Sequence, residues 1–374
     1  MKVLISGGYG NFGARISRAL AGNARIELLV AGRNEGRARA FAAELGHGAR
    51  GIAVDVGVGL ADALRAQAID LIIHTAGPFQ AQGYAVAQAA AAAGAHYIDL
   101  ADGRRFVCDF PATLDAAFRA ANRTAISGAS TVPALSSAAV QHLCAGWQRI
   151  DAIDTCIAPA QSAPLGAATI AAVLSYCGEP ISVWDEGRWQ TRHGWAAPVP
   201  VRFARMRPRI GALCDIPDLE LFPAHFKVTR RVMFRAALEL SLAQRTFAAL
   251  AAVRAARLMP QPPFLAGLMA WFASASHRLG TQLGGMAVHA EGVDADGQQV
   301  THGWHLAADH NHGPEIPCMA AVLLARRLAG GEALPVGAHT ALGLLPLSAF
   351  ESEFARWGMV TDVVNGGDAA LPLG

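Results

Sequence analysis

Lysine is almost absent from this 374-residue sequence: it occurs only at Lys2 and Lys227, so arginine supplies nearly all of the positive charge. A lysine Schiff base is therefore disfavoured, since Lys2 begins the first predicted strand and Lys227 lies in an unpatterned segment. Carbonyl reduction by a tyrosine and a lysine four residues apart is excluded, because no lysine follows any of the four tyrosines at that spacing.

Other features are equally scarce. The six cysteines include no CxxC pair or other ligand spacing, which predicts free thiols in a reducing compartment. The net charge is only +2 and the arginine cluster at residues 202–209 contains a single aromatic residue, so we expect no nucleic-acid partner. The longest nearly uncharged apolar stretch, residues 262–276, is shorter than the roughly 18–20 residues that a membrane span needs. The first strand is predicted to begin at residue 3, which leaves no room for a signal peptide. A cytoplasmic protein is expected.

The order of apolar runs predicts two domains. Up to about residue 125, short apolar strands alternate with amphipathic helices, as in a doubly wound parallel sheet. Later runs alternate with a period near two, which predicts a largely antiparallel sheet with a hairpin turn at residues 294–298 and helices over 165–177 and 234–257. We predict an α/β fold with a Rossmann domain (1–128), a second α+β domain for substrate or dimer contacts (129–313), and a C-terminal helical segment (314–374) that returns to the first domain.

A glycine-rich turn near the start of the chain predicts a dinucleotide site. Three glycines, Gly8, Gly10 and Gly13, lie between an apolar strand and an amphipathic helix. In such a unit they permit a tight turn, a close approach of the backbone to pyrophosphate, and close packing of the helix on the strand. The predicted cofactor loop consists of Gly8, Tyr9, Gly10, Asn11, Phe12 and Gly13.

The end of the second predicted strand favours NADP over NAD. Arg33 follows Gly32 at the position where NAD sites place a carboxylate, with Asn34 beside it and Arg37 one turn later. An arginine here can bind the 2′-phosphate of NADP, although Glu35 could still reach a ribose, and Arg33 could instead be a solvated loop residue.

Two further loops are predicted to contact the cofactor. Asp55 follows the third strand, where it either bonds the adenine amino group or serves as a helix N-cap or turn aspartate. The loop after the fourth strand lies at the carboxyl end of the sheet, where ligands bind in open α/β folds. Its predicted nicotinamide contacts are Ala76, Gly77, Pro78 and Phe79.

With these motifs in view, the sequence resembles the saccharopine dehydrogenase-like family of NADP-binding proteins. The resemblance rests on the glycine loop, the stretches at residues 74–102 and 127–140, and the C-terminal stretch at 284–317. It implies a Rossmann domain, a second domain of mainly antiparallel strands, and a nicotinamide cofactor on the glycine loop. Relatives act on amino-acid imines, polyamine adducts and lipid-like compounds, so the resemblance does not name the substrate.

Candidate catalytic residues are few, because hydride transfer places most of the chemistry on the cofactor. Asp102 and Arg104 follow the fifth strand, and an arginine could bind a substrate carboxylate there, or Arg104 could begin a solvated helix. His310 and His312 could donate a proton or contact substrate, or they could cap the hairpin and the following helix. No metal site is predicted, because the histidines around them lack a third ligand at a defined spacing.

The predicted function is an NADP-dependent oxidoreductase acting on a small or lipid-like C=N, C=O or C=C substrate; the alternative is a non-catalytic NADP-binding redox sensor. The basic and apolar stretch at residues 230–280 could form a dimer core, a lid over the substrate, or, as the less favoured reading, a membrane-contacting surface. We expect a small-molecule substrate and a homodimer.

Overall fold

The computed structural model describes residues 1–55, 57, 59–163, 173, 175–258 and 280–366. Contacts divide the chain into two compact units. The first unit comprises residues 1–135 and 315–345, and the second comprises residues 136–314 and 346–374.

The first unit is built on a seven-stranded parallel sheet. Its strands are β1 (Lys2–Ser6), β2 (Glu27–Gly32), β3 (Arg50–Ala53), β4 (Leu71–His74), β5 (His96–Asp99), β6 (Thr124–Ser127) and, late in the chain, β15 (Gly337–Thr340). Its helices are α1 (Asn11–Leu20), α2 (Glu35–Leu45), α3 (Leu60–Ala66), α4 (Ala85–Ala93), α5 (Arg104–Ala120) and α9 (Ile316–Ala329).

The strand order β15-β6-β5-β4-β1-β2-β3 reverses direction between β1 and β4. Chains that leave β1 and β4 therefore diverge at the carboxyl edge of the sheet, which opens a crevice there. The central strands are short apolar runs buried on both faces, as in β4, where all four residues are buried, whereas the edge strands β3 and β15 are only partly buried. The predicted Rossmann sheet is confirmed.

The second unit contains a mixed sheet of nine strands. They are β7 (Arg149–Ala158), β8 (Pro180–Asp185), β9 (Arg188–His193), β10 (Val199–Val201), β11 (Arg209–Leu213), β12 (Arg231–Leu238), β13 (Gly284–Val293), β14 (Gln299–Ala308) and β16 (Val360–Asn365). The accompanying helices are α6 (Ser136–Leu143), α7 (Asp218–His225), α8 (Ser241–Ala255) and α10 (Glu351–Arg356).

Most strand pairs of this sheet are antiparallel, as predicted, but β7 and β12 are parallel. The predicted hairpin joins β13 to β14, and its turn is held by Asp294, whose side chain accepts hydrogen bonds from the N–H groups of Asp296 and Gln298. Apolar residues from β7, β10, β12 and β13 contribute to a core cluster that includes Val201, Phe203 and Ala287.

Two predictions of local structure differ from the observed elements. Residues 234–238 were expected to be helical but belong to β12, because this apolar run pairs with β7 on one side and β11 on the other. The helix starts only at Ser241. The predicted helix over 165–177 and the continuation of the 230–280 stretch beyond residue 258 lie largely outside the described residues.

The segment after residue 314 is only partly helical. Helix α9 has Pro317 in its first turn and is capped by Gly330, and it belongs to the first unit. The following strand β15 extends the first sheet beside β6, whereas β16 pairs with β14 in the second unit. The segment after residue 314 therefore adds one strand to each sheet, whereas the sequence analysis predicted only a helical segment that returns to the first domain.

Candidate functional site

The glycine loop between β1 and α1 forms a tight backbone cradle. A Cβ on Gly13 would lie 2.1 Å from the Gly7 carbonyl oxygen, and one on Gly8 would lie 2.8 Å from the Ile5 carbonyl oxygen. Gly10 donates its N–H to the Gly7 carbonyl at 2.8 Å, and the buried Ser17 hydroxyl donates to the Gly8 carbonyl at 3.0 Å. Only glycines permit this approach of loop and helix. The first turn of α1, whose N–H groups have no partner within the helix, therefore begins at the carboxyl edge of the sheet, and a helix N-terminus of this kind is a common binding place for phosphate.

Other predicted residues of this loop lie at the start of α1. Asn11 is exposed and accepts hydrogen bonds from Arg15 through both its backbone and side-chain oxygens. The Phe12 carbonyl accepts the Cys318 thiol at 3.7 Å, which ties the loop to α9. Both residues therefore stabilise the start of the helix.

Tyr9 joins the glycine loop to the end of β2. Its hydroxyl accepts the Asn34 N–H at 3.1 Å, and the Arg37 guanidinium lies 4.9 Å above its ring. The ring covers Gly32, where a Cβ would lie 2.3 Å from the tyrosine Cε1. Asn34 in turn caps α2 by accepting the Arg37 N–H at 2.9 Å. This packing fixes the backbone immediately after β2.

The two charged candidates after β2 differ in their partners. Arg33 is exposed and, among the described residues, its side chain has neither a hydrogen bond nor an ion pair. Glu35 is bonded to Arg39 at 2.5 Å, one helical turn later. A free cation and an occupied carboxylate therefore stand where the nucleotide ribose is expected.

Asp55 is exposed after β3, and its carboxylate accepts the N–H of Gly57 at 2.9 Å. This is a turn-stabilising bond, the second of the two roles considered for Asp55. A contact with adenine remains a prediction.

The loop after β4 is anchored on both sides. Thr75 bonds the end of β1, because its N–H and hydroxyl both donate to the Ser6 carbonyl, at 3.1 and 2.8 Å. On the other side, the Gln82 amide donates to the carbonyls of Ala76 at 2.7 Å and Pro78 at 2.9 Å. Gly77 and Pro78 are exposed, whereas Phe79 is buried. The exposed turn faces the same edge of the sheet as the glycine loop.

A buried carboxylate connects the exits of β5 and β6. One oxygen of Asp99 accepts the N–H groups of Ala101 and Gly128, at 2.9 and 2.8 Å, and the Ser127 hydroxyl at 3.0 Å. Burial raises the pKa of Asp99 to about 6, although these hydrogen bonds oppose the shift. Asp99 therefore joins the loop after β5, which carries the predicted substrate contacts Asp102 and Arg104, to the end of β6.

Those contacts occupy different environments. Asp102 reaches solvent, and its carboxylate accepts the Gln80 amide at 3.0 Å; the protein packed around it raises its pKa. Arg104 begins α5 but is buried, so it does not match the alternative of a solvated helix start. The neighbouring Arg105 is exposed and pairs with Asp109 at 3.2 Å. Their roles towards a substrate stay predictions.

His310 and His312 lie in the second unit, in the turn after β14. His310 is exposed, and both it and Asn311 adopt positive φ angles, of +53° and +59°. His312 is partly buried, with its Nδ1 3.0 Å from the Trp357 carbonyl and its ring 5.0 Å from that of Trp357. His312 thus has a structural contact, while the ring of His310 reaches solvent.

One face of the second sheet carries a buried polar cluster that sequence reasoning missed. Asp154 on β7 bonds two arginines of β12, Arg231 at 2.7 Å and Arg235 at 3.0 Å. Beside it, His289 and His305 are buried with their Nε2 atoms 3.1 Å apart. Burial, together with His305, lowers the pKa of His289 to about 4. The signal for this cluster was weak, because its members come from separate strands.

Within the described residues, no group of three or more histidine, cysteine, aspartate or glutamate side chains could hold a metal ion. A search of the same residues found no helix with the length and apolar character needed to cross a membrane.

Comparison with known proteins places these features in a family. Residues 3–139 match the model of the saccharopine dehydrogenase NADP-binding domain. The first part of the chain therefore carries a saccharopine dehydrogenase-type NADP-binding domain. A comparison with curated protein sequences found no match.

Two solved structures share the fold over nearly the whole chain. Saccharopine dehydrogenase (L-Glu forming) from Saccharomyces cerevisiae is similar with a TM-score of 0.71 at 13% identity, covering 98% of this chain and 100% of its own. Homospermidine synthase from Legionella pneumophila, solved in complex with NAD, has a TM-score of 0.62 at 9% identity, with 98% and 91% covered. At these identities the likeness concerns the fold.

The predicted family, fold class and NAD(P)-binding oxidoreductase fold are thereby confirmed. The domain match also supports the prediction of an NAD(P)-dependent enzyme. The sequence reasoning missed Gln82 and Asp99. Asp99 could have been found from the sequence, because it ends an apolar strand at the edge where ligands bind, and a carboxylate in such a place is unusual unless it is hydrogen-bonded.

Proposed function

We propose that the chain is an NADP-preferring oxidoreductase that transfers a hydride between the nicotinamide and a small or lipid-like C=N, C=O or C=C substrate. The carrying observation is Arg33, an exposed guanidinium without a partner among the described residues, at the end of β2. The carboxylate that could have bound a ribose instead, Glu35, is bonded to Arg39. An arginine in this position suits a 2′-phosphate, while no free carboxylate of the loop is available for the ribose hydroxyls of NAD.

The remaining residues are assigned by their place at the same edge. Gly8, Gly10 and Gly13 would hold the pyrophosphate against α1, and the loop from Ala76 to Pro78 would face the nicotinamide. When bound, the cofactor supplies or accepts the hydride. Arg104 and Asp102 are proposed to orient the substrate. A C=N substrate needs the least from these side chains, because an iminium already carries its electrophilic charge.

Calorimetric titration with NADPH and NADH tests the cofactor preference. In Arg33→Gln we expect NADPH affinity to fall about tenfold or more, with little change for NADH, because a charge-assisted bond to phosphate is lost. Arg50→Gln is the matched control: this arginine starts β3, at the opposite edge of the sheet, and pairs with Glu27. Equal affinities of the wild type for both nucleotides would contradict the proposed preference.

An acceptor screen tests catalysis itself. Oxidation of bound NADPH in the presence of imines or lipid enones would be seen as loss of nicotinamide absorbance. Tight NADPH binding without turnover of any acceptor, combined with a change in assembly state, would favour the redox-sensor alternative.

A further inference from the structure

The loop from Ala76 to Pro78 is held by one side chain that the cofactor motif does not include. Gln82 follows this loop, and its Nε2 donates to the carbonyls of both Ala76 and Pro78. Carbonyl oxygens only accept hydrogen bonds, so the amide nitrogen must face them. One side chain therefore closes the loop on itself across the exposed Gly77.

His74 fixes the other end of the same amide. With Nε2 of Gln82 facing the two carbonyls, its Oε1 lies 3.1 Å from Nε2 of His74. An amide oxygen only accepts, so His74 must carry its proton on Nε2. The imidazole is only 1% exposed at the end of β4, and its ring contacts Phe79 edge-on at 5.3 Å. Burial lowers the pKa of His74, which favours the neutral ring, and the bond to Gln82 selects the tautomer.

We propose that Gln82, oriented by His74, is a positioning residue that holds the Ala76–Pro78 backbone in the shape that receives the nicotinamide. This inference rests on the proposed function, because it requires a nicotinamide cofactor at this edge. The opposite side of the loop is already fixed through Thr75 and the end of β1. Gln82 then determines the conformation of residues 76–78, which follow the segment that Thr75 anchors.

The inference predicts that a substitution of Gln82 weakens binding of the nicotinamide half of the cofactor and leaves binding of the adenosine half unchanged. Adenosine 2′,5′-bisphosphate carries the adenosine half and the 2′-phosphate but no nicotinamide. In Gln82→Glu the side chain keeps its size and its acceptor for His74 but loses both donors to the loop carbonyls. We expect NADPH affinity to fall about tenfold, with affinity for adenosine 2′,5′-bisphosphate unchanged within about twofold. The fluorescence of bound NADPH should also shift towards that of free NADPH.

Matched variants separate positioning from a general loss of structure. Gln88→Ala changes an exposed glutamine of α4 and should leave both affinities unchanged. His74→Phe retains an aromatic ring beside Phe79 and should reproduce the Gln82→Glu pattern more weakly. Equal losses for NADPH and adenosine 2′,5′-bisphosphate in Gln82→Glu, or no loss for either, would overturn the inference. If the wild type bound neither compound, the proposed function itself would fail, which is a distinct result.

Discussion

The two units of this protein place their polar residues in different ways. In the first, the carboxyl edge of the sheet collects side chains and glycines from loops that follow successive strands, so Tyr9 meets Asn34 across one strand–helix repeat. In the second, Asp154 meets Arg231 and Arg235, which lie 77 and 81 residues away on a parallel neighbour. A repeating strand–helix order predicts the first kind of contact, because parallel strands end at a common edge. The second kind depends on which strands pair.

The two sites also depend on different physical conditions. The glycine cradle depends on the absence of side-chain atoms, whereas the polar cluster of the second unit depends on compensating charges that are shielded from water. Damage to the cradle should therefore abolish ligand binding, and damage to the cluster should mainly lower stability.

Asp154→Asn should give the largest effect on stability. Removing the charge leaves the largely buried Arg235 without its counter-ion and leaves Arg231 with only Glu291, at 3.3 Å; the Nε atoms of both arginines already lack partners among the described residues. We expect the free energy of unfolding to fall by about 3–5 kcal/mol, measured by urea denaturation. NADPH affinity should be unchanged, because the cradle belongs to the other unit.

The matched control for Asp154 is Asp362, which pairs with Arg205 at 2.7 Å. That pair is far more exposed, with the arginine side chain 51% accessible. Asp362→Asn should cost less than about 1 kcal/mol. Equal decreases in the free energy of unfolding in the two variants would show that burial does not determine how much these ion pairs contribute to stability.

Gly13→Ala tests the cradle in the opposite way. The added Cβ would lie 2.1 Å from the Gly7 carbonyl, so the loop or α1 must move. Because this movement displaces the N–H groups that face the pyrophosphate, we expect NADPH affinity to fall about 100-fold, measured by calorimetry. In Gly36→Ala the new Cβ meets only the Asn34 side chain, at 3.4 Å, so binding should be retained. Wild-type affinity in Gly13→Ala would remove the cradle from the site.

Features that depend on residues close together in the chain could be predicted from the sequence, whereas features that depend on strand pairing could not. The glycine loop, the exits of β2 and β4 and the parallel order are local patterns, and each was predicted from residues close together in the chain. Strand β15 was missed because "GAHT" is short and has no apolar run; it exists through its pairing with β6 and a bond from the Ala338 N–H to Asp115. Residues 234–238 were assigned to a helix because an apolar run beside alanines fits the helical period of 3.6 and the strand period of two equally well. Only the pairing with the neighbouring strands β7 and β11 makes this segment a strand.

The pH dependence of stability gives the sharpest comparison, because buried groups of the two units should respond in opposite directions. In the first unit, the pKa of Asp99 is raised from 3.8 to about 6. The folded state then binds more protons than the unfolded state over this range, so this carboxyl contributes stability at low pH that is lost as pH rises towards 6. In the second unit, the pKa of His289 is lowered from 6.5 to about 4. The unfolded state binds more protons there, so its contribution is lost as pH falls from 6.5 towards 4.

Two variants isolate these opposing slopes. Asp99→Asn removes the carboxyl titration, and His289→Gln removes the ring while leaving an oxygen that can accept from His305. Relative to the wild type, the difference in unfolding free energy between pH 4 and 6.5 should change by about 2–3 kcal/mol in each case, with opposite sign. Urea unfolding followed at both pH values measures this difference. Slopes of the same sign would mean that burial in the two units does not act on these groups as the geometry implies, and that neighbouring charges determine their protonation instead.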